Sequence, residues 1–252
     1  MTELQEIFMQ ARGIPMYVVF LSLLLILFAV LVVKEFLETR KQDDAPVSEK
    51  KKCKGYLQSI GILWGMVLVV FIMCFIGGIS LEEIGFRKIS FNYGFWFNVV
   101  TLVASGLFLA YVLSGIISLF LKKETAEMPS SVMKYLPRTK KEKWLFSCVA
   151  LSAGVCEEII FRGFLLFLII AIFPDMPTYL VILIPTALFG IGHLYQGLKG
   201  IMGTALLGAF FICLYLVTDS LIIPMFLHFL NDLLATFVLS EKDEAQKVST
   251  TE

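Results

Sequence analysis

Trp144 to Phe173 reads WLFSCVALSAGVCEEIIFRGFLLFLIIAIF, thirty residues of almost unbroken apolar character into which Glu157, Glu158 and Arg162 are set. About 20 apolar residues in a helix cross a hydrocarbon layer of about 30 Å. Length and composition therefore make this stretch a membrane helix, and the three charges are the anomaly within it. An acid or base held at membrane depth costs roughly 2.5–3.5 kcal/mol on insertion scales for Asp, Lys or Arg, so such residues mark function. A backbone with no water to bond to must bond to itself. The fold class expected is all-α, a polytopic bundle of membrane helices.

Six further apolar runs flank this one: Ile14–Val33, Tyr56–Ile79 and Tyr93–Leu121 before it, Thr178–His193, Ile201–Val217 and Leu221–Leu239 after it. Together they predict seven transmembrane helices, or eight if the thirty-residue run breaks at Arg162-Gly163. The composition agrees. The chain of 252 residues is 58% hydrophobic and only 17% charged, with a mean hydropathy of +0.84, whereas a soluble domain carries about 25% charge. Its 21 basic and 21 acidic residues cancel, which excludes nucleic acid as an expected partner and leaves the lipid bilayer as the certain one. The five cysteines are scattered, without CxxC spacing, and argue for neither a disulfide framework nor a zinc knuckle. Ile14–Val33 is read as a first membrane helix and not a signal peptide, being too long for an h-region and lacking a small-residue cleavage site.

Basic residues orient the chain. Lys34–Lys54 and Lys122–Lys143 hold seven each, and with Lys199, Lys242 and Lys247 they put 17 bases on one side of a seven-span frame. Arg12, Arg87 and Lys88 make three on the other. The positive-inside rule then places the N-terminus outside and the C-terminus in the cytoplasm. The expected organisation is residues 1–143 as three N-terminal spans with cytoplasmic loops, 144–239 as a catalytic helical core and 240–252 as a disordered tail. A short interfacial helix is expected within Ala126–Lys143, where Met128, Val132, Met133, Tyr135 and Leu136 alternate with polar neighbours.

Within the spans the acids and bases are Glu157, Glu158, Arg162 and Asp232, and both histidines of the chain, His193 and His228, fall in or at the end of apolar runs. Spacing sorts them. Glu158 and Arg162, four apart, share a helix face, while Glu157 lies about 100° round the helix. Arg162 is therefore expected to neutralise Glu158 and leave Glu157 pointing into the bundle. His228 and Asp232 are again four apart, with Asn231 at three. His193 stands between Gly192 and Leu194, four after Phe189, and Gly190 and Gly192 allow a neighbouring helix to come close. Acid/base hydrolysis is the chemistry that fits: a carboxylate withdrawn from water is a stronger base toward a water molecule. Imidazole or amide N–H groups can donate to the oxyanion formed on a peptide carbonyl.

These residues resemble a known family. Cys156-Glu157-Glu158-Ile159-Ile160-Phe161-Arg162 is similar to the EExxxR motif of the CAAX protease and bacteriocin-processing (CPBP, or Abi) family, Phe189–His193 to its FxxxH and His228–Asp232 to its HxxxN/D. The motifs occur in the family's order, and the resemblance covers about Lys143 to Leu239. It implies an intramembrane glutamate endopeptidase with no metal, no cofactor and no covalent intermediate, acting on a membrane-associated protein or peptide. It further implies Glu157 as general base, His193 as orienter of the water, His228 and Asp232 as the oxyanion site, and Glu158 and Arg162 as supports. Position 232 departs from the commoner Asn. An ionised Asp cannot donate to an oxyanion, so either Asp232 is protonated or it orients His228 while Asn231 supplies the amide.

The same residues admit other classes of function. A zinc peptidase of two histidines and a glutamate lacks an HExxH. Cys156 as nucleophile would need a histidine beside it in an otherwise apolar helix. A proton-coupled transporter would use similar groups, but no inverted repeat is visible, and a catalytically inactive scaffold would keep them only as a buried ion pair. A bacterial cell membrane is the expected location. One tension remains in the seven-span frame. Glu157 falls mid-membrane and His193 at a helix end, an offset on the order of 10 Å at ~1.5 Å per residue. A break at Gly163 or a fifth helix prolonged through Tyr195 would close it.

Overall fold

The computed structural model describes residues 3–40, 47–90 and 134–234, with isolated positions between 94 and 108. Among these residues all regular structure is helical. α1 (Glu3–Arg40) and α2 (Glu49–Gly77) come first; α3 (Lys140–Glu158) runs without interruption through a π-helical segment (Ile159–Leu165) into α4 (Leu166–Ile172). α5 (Thr178–Gly192), a 3-10 turn (Leu194–Gln196) and α6 (Gly197–Thr218) follow, and α7 (Ile222–Leu234) closes the series. The expected third span, Tyr93–Leu121, lies almost wholly outside the described residues, as do positions 126–133 of the expected interfacial helix and the tail 240–252.

Ile14–Thr39, Glu49–Gly77 and Leu194–Thr218 are long and apolar enough to cross a membrane, and Thr178–Gly192 and Ile222–Leu234 are shorter apolar helices. The chain is thus an integral membrane protein. Its outer surface agrees: Phe75 is 89% exposed and Leu206 72%, large apolar side chains that water would expel and lipid accepts.

Local sequence explains where the helices start and stop. Ser48 caps α2 by accepting from Lys51 N, and Gly78 ends it in the left-handed conformation with φ 63°. Thr139 opens α3 with a capping box: Thr139 Oγ1 accepts from Glu142 N, and Glu142 Oε2 accepts from Thr139 N at 3.2 Å and from Arg138 N at 2.6 Å. Glu142 also pairs with Lys52 of α2 at 3.6 Å, each only 3% exposed, and Lys52 Nζ donates to Leu136 O at 2.7 Å. Tyr56 Oη donates to Tyr135 O beside them. One end of the α2–α3 pair is therefore tied by polar groups.

The opposite end is closed by the turn after α2. Leu221 N donates to Gly85 O, Ser90 N to Thr218 O and Ser220 Oγ to Arg87 O, while Arg87 pairs with Asp219 at 3.0 Å. Midway, Trp64 Nε1 donates to Ser152 Oγ at 3.1 Å, a polar tie between α2 and α3.

The core lies where α1, α2, α3 and α4 meet. Tyr17, Phe20, Leu24 and Phe28 recur at three and four residues along α1 and form one stripe. Their rings meet Phe167, Phe164 and Phe161 in turn, with Tyr17–Phe167 at 5.5 Å, Phe20–Phe164 at 6.4 Å and Phe28–Phe161 at 5.9 Å. Phe161 then touches Phe189 of α5 at 5.2 Å. This row of rings carries the packing from the first helix to the functional residues.

The expected break at Arg162-Gly163 is not a break. The helix changes pitch instead, and all seven residues of the π segment are buried. A π-helix is strained in isolation and persists where packing fixes it, often at functional sites. Gly163 supplies part of that packing: a Cβ there would come within 2.7 Å of Ile84 O, so the turn after α2 can press directly on the wide segment.

Candidate active site

The last two residues of α3 are Glu157 and Glu158, and the π segment carries Arg162 immediately beyond them. The pair read from the spacing is present: Arg162 Nη1 lies 3.0 Å from Glu158 Oε1, both side chains 0% exposed. A fully buried charge survives only if it is paired and supported by dipoles. Arg162 has three such supports. Its Nη2 donates to Gly208 O at 3.2 Å, and its guanidinium lies over the rings of Phe189 at 4.4 Å and Phe211 at 5.5 Å.

α7 delivers His228 to the same point. Its Nδ1 is 2.7 Å from Glu158 Oε1. A carboxylate only accepts, so the ring donates through Nδ1. Nε2 therefore faces the other way, toward Glu157 Oε2 at 3.8 Å and Asp232 Oδ2 at 3.5 Å. The imidazole is held flat by Phe211, stacked at 5.1 Å and 21°, and met edge-on by Phe189 at 6.0 Å. His228 thus stands among three carboxylates, with its ring plane set by two aromatics.

Glu157 differs from its neighbour. It keeps 19% exposure where Glu158 has none, although Oε2 of each is buried without a hydrogen-bond donor among the described residues. Of the two adjacent acids, it alone keeps any exposed surface.

His193 caps α5 at its C-terminus, and its Nδ1 is 2.9 Å from Phe189 O. A carbonyl only accepts, so Nδ1 carries the proton and the neutral ring keeps its lone pair at Nε2. The His193 ring borders Phe189 at 4.9 Å, the same ring that borders His228. The helix end that carries His193 is thereby brought to the same aromatic ring as His228, with neither a break at Gly163 nor a longer fifth helix. α5 ends at Gly192 and a 3-10 turn follows. Asp232 stands one turn beyond His228, and Asn231 Nδ2 donates to Asp232 Oδ1 at 3.3 Å. Glu157, Glu158, Arg162, His228, Asn231 and Asp232 are therefore linked contact by contact, and His193 joins them across the ring of Phe189.

Sequence reasoning missed four neighbours. Phe211 and Gly208 of α6 hold the ring of His228 and the guanidinium of Arg162, and nothing in the spacing of α6 marks them. Tyr195, in the 3-10 turn, lies 6.0 Å from the His193 ring. Gly154 has a legible signal, since it sits four residues before Glu158 on the same face. A Cβ there would come within 2.6 Å of Phe229 N and 2.8 Å of its Cα. Only glycine lets α7 approach α3 closely enough for the 2.7 Å contact next door. Gly190 does the same between α5 and α6, where a Cβ would meet Ile201 O and Ala205 Cβ at 3.0 Å.

No curated protein and no solved structure matches the chain. Residues 139–234 match a family described as Type II CAAX prenyl endopeptidase Rce1-like. That stretch contains Glu157, Glu158, Arg162, His193, His228, Asn231 and Asp232, and the match over it supports the resemblance of this part of the chain to the CAAX protease and bacteriocin-processing family.

Proposed function

We propose that this protein is an intramembrane endopeptidase in which Glu157 activates a water molecule against a peptide bond of a membrane-associated protein or peptide. The observation that carries the reading is the asymmetry of the two acids. Glu158 is sealed and doubly engaged through Oε1 by Arg162 and His228, whereas Glu157 is partly open and faces His228 Nε2 at 3.8 Å.

Glu157 takes a proton from water, and the hydroxide oxygen adds to the carbonyl carbon. His193 orients that water through the Nε2 lone pair that its Phe189 contact leaves to it. The tetrahedral oxyanion collapses, the C–N bond breaks, and the proton held by Glu157 passes to the leaving amine, so the acid returns to its starting form. Glu158 and Arg162 hold the His228 ring in place. Asp232 orients His228 from the other side, and Asn231 steadies Asp232. No metal or other cofactor is assigned a step.

The working unit is residues 144–239, with the preceding spans as walls, and the full chain makes seven passes, N-terminus outside and C-terminus in the cytoplasm of a bacterial cell. The test is substrate trapping. Glu157→Gln expressed in place of the wild type should accumulate an uncleaved membrane-associated partner visible by mass spectrometry. Hydrolysis should persist in chelator. Identical proteomes for wild type and variant would end the glutamate assignment, and activity lost to chelator would reopen a metal peptidase.

A further inference from the structure

An oxyanion needs N–H or O–H donors, and the site can be inventoried for them. His228 Nδ1–H is occupied by Glu158, and its Nε2 faces the carboxylates of Glu157 and Asp232. His193 Nδ1–H is occupied by Phe189 O. Arg162 is sealed at 0% exposure, Asn231 Nδ2 is turned to Asp232, and a carboxylate at 232 donates nothing. His228 Nε2, which makes no hydrogen bond at these distances, and the second N–H of Asn231 are the donors left, so acceptors outnumber donors around Glu157.

Tyr195 offers a further donor. It is half-buried, follows His193 by two residues in the 3-10 turn and lies 6.0 Å from its ring at 33°. Gln196 Nε2 donates to Tyr195 Oη at 3.1 Å, and among the described residues this is the hydrogen bond Oη makes. A phenol has one proton to give. With Gln196 taking the acceptor side, that proton is left to donate outward.

We infer that Tyr195 Oη donates to the carbonyl oxygen of the scissile peptide bond as it becomes an oxyanion, with Gln196 fixing the direction of the hydroxyl. This rests on the peptidase reading and adds a donor to it. Because the bond strengthens only as charge develops, its loss falls on turnover and not on ground-state binding.

The test uses the purified full chain in detergent micelles and two probes. One is a quenched-fluorescence peptide ending in a prenylated cysteine followed by three residues. The other is its phosphinate analogue, an anionic tetrahedral centre in place of the amide. Tyr195→Phe should lower kcat roughly 10- to 100-fold with KM unchanged, weaken phosphinate binding by a similar factor, and leave the thermal midpoint where it was. Gln196→Leu, which keeps the phenol but frees its direction, should show a smaller loss of the same kind. A Tyr195→Phe enzyme with wild-type kcat and wild-type phosphinate affinity overturns the inference. If Glu157→Gln is dead in that experiment, the peptidase reading survives it. If Glu157→Gln still turns over, the reading itself fails, and phosphinate affinity, which needs no turnover, still decides the tyrosine.

Discussion

His228 Nδ1 stands 2.7 Å from Glu158 Oε1, and that one oxygen is also the atom 3.0 Å from Arg162 Nη1. A single carboxylate oxygen thereby joins α3, the π segment and α7. The chain Arg162–Glu158–His228 is an ordered series of charge and dipole, sealed from lipid by Phe189 and Phe211, and its members should respond to mutation as a unit.

Arg162→Leu removes the cation and leaves Glu158 buried with only an imidazole. The expected cost is about 3–5 kcal/mol, read as a lower thermal midpoint in detergent together with loss of hydrolysis. Arg162→Leu combined with Glu158→Gln should be less unstable than Arg162→Leu alone, because no charge is stranded. A double variant as unstable as the sum of its parts would mean the two residues do not act together.

Glu157→Gln should behave in the opposite way. Its Oε2 accepts no hydrogen bond from the described residues, so the amide should fold as well as the acid does. Catalysis should fall by at least ~100-fold, the ordinary contribution of a general base. Equal thermal midpoints with unequal rates are the expected outcome, and equal rates would remove Glu157 from the reaction.

Asp232 can be separated from the oxyanion by comparing two replacements. Asp232→Asn keeps a group that can face His228 Nε2 and should retain activity within a few-fold, roughly the scale of one neutral hydrogen bond. Asp232→Leu leaves that nitrogen without its 3.5 Å neighbour and should slow turnover by about 10-fold or more. Indistinguishable rates for the two would show that position 232 does not orient the ring.

Gly154→Ala tests the approach of the helices. The added methyl would sit 2.6 Å from Phe229 N, and backbone cannot swing aside as a side-chain tip can. Overpacking of this kind costs about 1–3 kcal/mol. Because the displaced residue adjoins His228, activity should fall further than stability alone explains. A fully active, fully stable Gly154→Ala would show that α3 and α7 are not so closely apposed.

Much of this was legible in the residues, and the part that was not has a common cause. Apolar runs located the helices, and the i, i+4 rule placed Glu158 with Arg162 and His228 with Asp232, because both relations are internal to one helix. Gly190 was readable as a point of close approach for the same reason. What a helix meets depends on its rotation against a partner, and the spacing of one helix carries no information about that. Hence the bond from Glu158 to His228, the aromatic pair of Phe189 and Phe211, the carbonyl of Gly208 and the hydroxyl of Tyr195 could only be seen in three dimensions. The pitch change after Glu158 escaped notice for a further reason: Ile159–Leu165 is as good an α-helix in composition as its neighbours, and only burial on every side selects the wider turn.

That wider turn sets the phase of everything after it. α3 packs chiefly on α2, and α4 packs on α1. A rod of uniform pitch presents faces to its neighbours in a fixed angular sequence. The π segment resets the sequence midway, so the glutamates can be aimed at α7 while Leu166 and Leu168 are aimed into the core. The same seven residues wound at ordinary α-helical pitch would turn one half of the rod against the other by about 100°. A change that restores that pitch without shortening the segment should therefore disable the protein more thoroughly than a point substitution that keeps the wide turn, although every side chain that performs chemistry would still be encoded.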